Sequence, residues 1–228
     1  MRIAEIYKSV QGEGFLTGTE SVFVRASGCN LRCWFCDTPF TSWRPEGDDL
    51  EVDEILRQVT QLGCSHVVVT GGEPMLFAEL IPLCSGLRDL GCHITIETAG
   101  TLHLPVDCDL MSISPKLANS TPTLDRDAKW HDRHERSRHV PDVVRRLIDE
   151  HPYQIKFVVD QPLDCEEIES YLDEMAEIDR DRVMLMPQGT ESQKLAATGS
   201  WLQAYCAAHG YHFCPRRHIE LFGVARGT

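Results

Sequence analysis

Long hydrophobic runs are missing: no stretch of the 228 residues approaches the roughly 20 apolar positions that a membrane-spanning helix needs. The amino terminus, Met1 to Val10, does not set a charged segment before an apolar one as a secretion signal does. A cytoplasmic protein is expected. Positive charge is scarce as well, with 22 Lys and Arg against 35 Asp and Glu and a formal charge of -13. Such a surface repels phosphate backbones, so nucleic acid is not expected as a direct partner. Internal repeats, low-complexity tracts and composition shifts are absent, which leaves one domain over residues 1–228.

Cysteine is not lacking, since ten are present. A disulfide framework would suit a smaller, secreted chain, and Cys64, Cys84, Cys92, Cys108, Cys165 and Cys206 each sit alone. A lone free cysteine usually packs as a small hydrophobe. Only the trio near position 30 is clustered.

Short aliphatic runs alternate with amphipathic stretches, the pattern of parallel strands joined by crossover helices, so an α/β fold is expected. Strands are predicted at Ser21–Ala26, His66–Thr70, His93–Glu97, Leu110–Ser114, Gln154–Val159 and Val183–Met186, all compatible with burial on both faces. Helices are predicted at Val52–Leu62, Glu79–Leu90, Pro141–Glu150, Asp164–Glu177 and Gln193–His209. Polar and glycine-containing groups follow the strands repeatedly, at 71–74, 98–100, 115–116 and 187–188. In a curved parallel sheet these share one rim, so a partial (β/α)6 TIM-like barrel with one active rim is the expected architecture. The polar insertion Asn119–His139 reads as a solvated loop or loosely attached helix. His131 and His134 within it could ligate a metal, although such spacing is common among exposed histidines.

Cys29, Cys33 and Cys36 form C-x3-C-x2-C directly after the first predicted core strand, a cluster loop over 29–36. Thiolates bind soft metals and iron-sulfur clusters, and three ligands on a four-iron cube leave one iron open. A structural zinc site needs a fourth ligand, and none lies nearby in sequence. A second signal, Thr70-Gly71-Gly72-Glu73-Pro74, comes at the end of the next strand. Adjacent glycines permit close backbone approach and Glu73 can accept from an amine, although a Gly-Gly turn alone is more often just a turn.

Together these motifs resemble the radical S-adenosylmethionine superfamily, whose open iron is chelated by S-adenosylmethionine. With Val10-Gln11-Gly12-Glu13-Gly14, Phe23-Val24-Arg25, Cys36-Asp37-Thr38, Glu97-Thr98, Ser114-Pro115-Lys116 and Lys156, the sequence resembles the 7-carboxy-7-deazaguanine synthase family within it. The resemblance implies a radical lyase that turns 6-carboxy-5,6,7,8-tetrahydropterin into 7-carboxy-7-deazaguanine with loss of ammonia, on the way to queuosine. It implies a [4Fe-4S] cluster on Cys29, Cys33 and Cys36, Mg2+ at Thr38, an electron donor such as flavodoxin, and a homodimer. Arg32 could contribute a basic patch for that donor.

Implied substrate contacts are Val10, Gln11, Gly12, Glu13, Arg25 and Thr70, in an amino-terminal loop over about 7–20 and at strand ends. Arg25 suits the pterin carboxylate because its planar fork can pair bidentately, although an ordinary ion pair is the commoner fate of an arginine. Gln11, Gly12 and Glu13 suit the pyrimidinone edge, unless they form an ordinary hairpin turn. Implied S-adenosylmethionine contacts are Trp34, Phe35, Gly72, Glu73, Glu97, Thr98, Ser114, Pro115, Lys116, Met186, Pro187, Gln188 and Gly189. The tail runs five residues past the end of the shortest family members, so the substrate contact made by their chain end is expected either to pass to the backbone near Phe222 and Gly223 or to be lost. A glycyl-radical activase would share the cluster motif, and a zinc or iron-sulfur binding module is a third reading. Neither explains the residues suited to a charged pterin.

Overall fold

The computed structural model describes residues 1–227. Strands β1 (Arg2–Val10) and β2 (Glu20–Ala26) form an antiparallel hairpin, and β3 (Asp48–Asp49) adds to the far edge of β1. From β2 onward the sheet is parallel through β4 (His66–Gly71), β5 (His93–Thr98), β6 (Leu110–Ile113), β7 (Tyr153–Val159), β8 (Val183–Pro187) and β9 (His212–Phe213). The nine strands lie in the order β3-β1-β2-β4-β5-β6-β7-β8-β9, with a two-residue strand at each edge. The helices are α1 (Val52–Leu62), α2 (Leu80–Asp89), α3 (Leu124–Arg138), α4 (Pro141–Glu150), α5 (Leu163–Glu174), α6 (Ser192–His209) and α7 (Arg217–Phe222). All six expected strands and all five expected helices are present, in the expected α/β partial barrel. No helix among the described residues is long and apolar enough to cross a membrane.

Alternation along the strands divides the sheet into two faces. Val22 and Val24, Val67 and Val69, Ile94 and Ile96, Met111 and Ile113, Ile155 and Phe157, and Val183 and Leu185 form the core with Ile55, Leu83, Leu147, Ile168 and Leu202 of the helices. The intervening residues Arg25, Thr70, Glu97, Ser112 and Lys156 face a cleft. The sheet is therefore buried on both faces: one is apolar throughout, and the other sets these polar residues beside a small apolar cluster of Met184, Met186 and Cys214.

The structure corrects three expectations. Residues 7–10 belong to β1, so the amino-terminal loop spans 11–19 and is the connection of a hairpin. The strand escaped notice because Arg2, Glu5 and Lys8 interrupt its apolar pattern on a half-exposed edge. The tail, likewise unassigned, forms β9 and α7.

The third correction concerns Asn119–His139, which is an anchored helix. The helix α3 breaks at Asp127, whose Oδ1 accepts from the Trp130 amide at 3.0 Å and caps the helical turns beyond the break. His134 has no solvent exposure, and both ring nitrogens are bonded within the chain. His131 Nδ1 donates to the Pro122 carbonyl at 2.9 Å. Neither histidine belongs to a group of three metal-ligating side chains among the described residues.

Burial pushes the His134 imidazole down to about 4. The unfolded chain therefore binds one more proton between about pH 6.5 and 4, so this contribution to stability is present above the unfolded value and is lost as pH falls. Urea unfolding is expected to lose up to about 1.4 kcal/mol per pH unit across that window from this group alone. A His134→Gln variant should lack that component, and identical pH slopes in the two proteins would contradict it.

Candidate active site

The carboxyl ends of the parallel strands surround a cleft of about 270 Å³, near the lower bound of roughly 300 Å³ for small-molecule sites. Its floor is the polar sheet face; its rim is the cluster loop after β2, the 11–19 hairpin loop and the tail.

Cys29, Cys33 and Cys36 are free, partly buried thiols lining this cleft. Two of them have polar neighbours at the sulfur: the Leu31 amide is 3.4 Å from Cys29 Sγ, and the Ser42 and Thr38 hydroxyls are 3.2 and 3.8 Å from Cys36 Sγ. Burial pushes the Cys29 thiol up to about 12 and the Cys33 thiol up to about 11, so iron must displace their protons to bind. No three His, Cys, Asp or Glu side chains among the described residues converge on one ion position. A four-iron cube does not need convergence, because each thiolate takes its own iron, and this donor set fits it.

The cluster loop is held from both sides. The Trp43 indole donates to Cys33 O at 2.9 Å, while Trp34 donates to Ser120 O at 3.0 Å from its amide and to Asn119 O at 2.7 Å from its indole. Arg32 bonds the Cys29 and Leu31 carbonyls at 2.8 and 2.7 Å and lies 4.0 Å from the Trp130 ring centroid. Its guanidinium is thus bound to its own loop and to α3.

The Gly71-Gly72 pair serves chain against chain. A Cβ on Gly72 would fall 2.0 Å from the Gly28 carbonyl oxygen, and the amides of Gly72 and Glu73 bond Ala26 O and Gly28 O at 3.1 and 2.8 Å. The exit of β4 is thereby laid against the start of the cluster loop. Gly72→Ala is expected to cost about 2 kcal/mol or more, because the obstacle is backbone, and to lower the thermal midpoint by several degrees. A melting curve superimposable on the parent would refute the close approach.

Glu73 is bonded within the chain. Its carboxylate is fully buried and accepts from the Met75 amide at 3.1 Å, the Thr98 hydroxyl at 2.8 Å and the Ala99 amide at 2.8 Å. Burial raises its pKa, and those hydrogen bonds oppose the shift. It ties the β4 exit to the β5 exit and does not line the cleft. Trp34, Pro115, Pro187 and Gly189 do not line it either, Trp34 because its indole is bound to Asn119. Phe35, Gly72, Glu97, Thr98, Ser114, Lys116, Met186 and Gln188 do, as do Thr38 and all six residues expected for substrate.

On the sheet face, Arg25 Nε binds Glu5 at 2.7 Å and its Nη2 binds the Tyr7 hydroxyl at 2.5 Å, while Nη1 makes no hydrogen bond among the described residues. Arg25 thus has a fixed ion pair and still faces the cleft. Glu97 accepts from Gln11 at 3.1 Å and Thr70 at 2.7 Å, joining the hairpin loop to two strand ends. Gln154 holds that loop as well, bonding the Phe15 amide at 2.9 Å and Ser112 at 2.8 Å.

Glu13 is bonded to Lys156, with Arg216 Nε 3.5 Å and His218 Nε2 3.7 Å away. Burial alone would raise the Glu13 carboxyl, but Lys156 and Arg216 together hold it well below the usual carboxylate range. Arg216 also pairs with Asp37 and donates to Gly189 O at 2.7 Å, bridging three loops. Sequence reasoning assigned no role to Glu5, Tyr7, Gln154, Lys156, Arg216 or His218. The available signal was a charged residue inside an apolar run, as with Lys156 in Gln154–Val159.

The family model of the radical SAM superfamily matches residues 23–114. A 7-carboxy-7-deazaguanine synthase from Rhodopirellula baltica is 47% identical, over 99% of this chain and 88% of that protein. One from Halobacterium salinarum is 44% identical, over 99% and 92%. The crystal structure of QueE from Escherichia coli superposes with a TM-score of 0.70 at 23% identity, covering 95% of this chain and 94% of that one, a likeness of fold. Streptococcus suis SuiB bound to S-adenosylmethionine shares the fold more loosely, with a TM-score of 0.53, 17% identity and coverage of 83% and 48%. These relatives give no support to the activase alternative. With its three thiols and glycine turn at adjoining strand ends and relatives this close along nearly its whole length, the chain belongs to the 7-carboxy-7-deazaguanine synthase family of radical SAM lyases.

Proposed function

We propose that the protein converts 6-carboxy-5,6,7,8-tetrahydropterin to 7-carboxy-7-deazaguanine with loss of ammonia, in the cytoplasm, as a step toward queuosine. The observation that carries this reading is 47% identity to a synthase of that name over 99% of the chain. The cleft chemistry agrees with it. Cys29, Cys33 and Cys36 would hold a [4Fe-4S] cluster, and Phe35, Gly72, Thr98, Ser114, Lys116, Met186 and Gln188 line the space beside them for S-adenosylmethionine. When bound, the cluster and S-adenosylmethionine supply a radical that takes one hydrogen atom from the substrate and returns it.

The chain's own work is to orient that substrate. The free Nη1 of Arg25 presents a cation to the pterin carboxylate while Glu5 and Tyr7 fix the guanidinium plane. Glu13, kept anionic by Lys156 and Arg216, is an acceptor for the amino-pyrimidinone edge. Gln11, Thr70 and Glu97 form one bonded unit that fixes the floor between them. The Thr38 hydroxyl, 3.8 Å from Cys36 Sγ, offers Mg2+ one ligand, and the substrate and water would supply the others. The Gly223 to Arg226 tail closes the rim and helps to exclude water. An external reductant such as flavodoxin would deliver the electron, and the protein would work as a homodimer, which sedimentation under anaerobic conditions reads directly.

The test is anaerobic reconstitution with iron and sulfide, followed by reductant, S-adenosylmethionine, Mg2+ and the pterin, with mass spectrometry of the product. Appearance of 7-carboxy-7-deazaguanine supports the assignment. S-adenosylmethionine cleavage without that product would reject the substrate and retain the radical chemistry.

A further inference from the structure

Lys and Arg are outnumbered 22 to 35 in this chain, and most of them meet a carboxylate. Among the described residues, those without such a partner are Arg2 on β1, Lys116 in the cleft, and a group that shares one place: Arg32, Arg44, Arg126, Lys129, Arg133 and Arg136. That place is the outer side of the cluster loop with α3. Arg126 bonds the Trp34 carbonyl at 3.0 Å and lies 4.8 Å from the centroid of Trp43, the residue before Arg44. Arg32 and Arg133 lie 4.0 and 4.6 Å from the Trp130 centroid. Lys129 and Arg136 stand exposed on the same helix. None of the group lines the cleft, so this charge is not spent on substrate or S-adenosylmethionine.

The anions interspersed on α3 are Asp125 and Asp132, which are exposed, Asp127, which caps the turns beyond the break, and Glu135, which pairs with Arg138. The patch stays positive on a chain of formal charge -13. Guanidinium groups laid on indoles and lacking a carboxylate are held ready to receive one. Trp34 and Leu124, both exposed, add apolar contact beside them. The Trp43 indole reaches the Cys33 carbonyl at 2.9 Å, so the patch stands one side chain away from a cluster cysteine.

We propose that this face is the docking surface for the electron donor, and that the donor is an acidic redox protein. This rests on the cluster assignment proposed above. Two acidic proteins repel at a distance, so a local patch of opposite sign sets the one orientation in which they approach closely. Here that orientation brings the donor against the loop that carries the cysteines. Arg32 itself is bound to its own loop, and α3 supplies the free charge.

The experiment compares two reductants on the reconstituted enzyme with S-adenosylmethionine, Mg2+ and the pterin at low ionic strength. One is limiting reduced flavodoxin, an acidic flavin protein; the other is excess dithionite, which needs no docking surface. In the double variant Lys129→Glu with Arg133→Glu, kcat/KM for flavodoxin should fall roughly tenfold or more, while the dithionite-driven rate stays within about twofold of the parent. Added salt should weaken the flavodoxin reaction of the parent and hardly change that of the variant. The same change in net charge on α1 and α4, Arg57→Glu with Arg146→Glu, should leave the flavodoxin reaction near the parent value. A flavodoxin kcat/KM within about twofold of the parent in the α3 variant overturns the proposal. An equal loss in the α1 and α4 control does so too, since it assigns the effect to net charge. A loss as large with dithionite also overturns it, because it makes these residues supports of the cluster loop. Should Arg133→Glu unfold α3 through Trp130, Lys129→Glu with Arg136→Glu decides alone, since neither side chain bonds the cluster loop. A parent that turns over with neither reductant would instead overturn the function proposed above.

Discussion

Cys33→Ala is expected to abolish product formation while leaving the apoprotein folded. The sulfur lines the cleft and contributes nothing to the apolar core. The loop around it is held by other atoms: Trp43 bonds the Cys33 carbonyl, Trp34 bonds Ser120 and Asn119, and Arg32 bonds two loop carbonyls. Removing one thiol deletes none of these. The thermal midpoint of the apoprotein should therefore move by no more than a few degrees, since the change is about 1 kcal/mol or less. Iron and sulfide content after reconstitution should collapse, because two thiolates cannot replace three on a four-iron cube. Product at the parent rate in the variant would remove Cys33 from the ligand set.

Lys156→Met should show the reverse pattern, with a large loss of stability and activity lost along with it. Lys156 is 6% exposed and pairs with Glu13, whose side chain is 14% exposed in the same cleft. Methionine keeps the side-chain volume but leaves a desolvated carboxylate with only Arg216 and His218 nearby. Breaking a buried pair from one side costs about 3–5 kcal/mol. At this chain length that corresponds to a fall of roughly 10 °C in the thermal midpoint.

The pH dependence identifies the cause. Glu13 has a folded pKa below its unfolded value, so its contribution to stability is present above about pH 4.5 and is lost as pH falls. In Lys156→Met most of that contribution is already gone. The gap between the proteins should be widest near pH 7 and narrow toward pH 4, where Glu13 in the variant becomes neutral. Urea unfolding at the two pH values checks this, and a constant gap would point to packing instead of charge.

Legibility from sequence tracked the range of the interactions. The six central strands were readable because each is a short apolar run, which burial on both faces requires. The helices α1 and α4 were readable to the residue because their apolar positions recur on one face. The helix α3 was not, because its attachment does not come from an apolar stripe. It comes from one buried histidine and from Trp130, stacked on Arg32 nearly a hundred residues earlier in the chain. Glu73 and Trp34 were legible as members of motifs but not in their use. Their partners, Thr98 and Ala99 for one and Asn119 for the other, belong to later strand ends and turns.

By itself the sequence determined the cysteine trio and its spacing, the order of the central strands and the helices between them, and the family. Those depend on spacing within a few residues or on periodicity within one element. Only the tertiary structure decided which charges meet. Glu13 finds Lys156 across 143 residues and Asp37 finds Arg216 across 179, pairings that no local pattern encodes. They arise because parallel winding brings every strand's carboxyl end to the same rim, and because the amino-terminal hairpin and the tail both close over it. A buried charge must find a partner at whatever sequence distance the fold provides, and here the fold provides it inside the cleft.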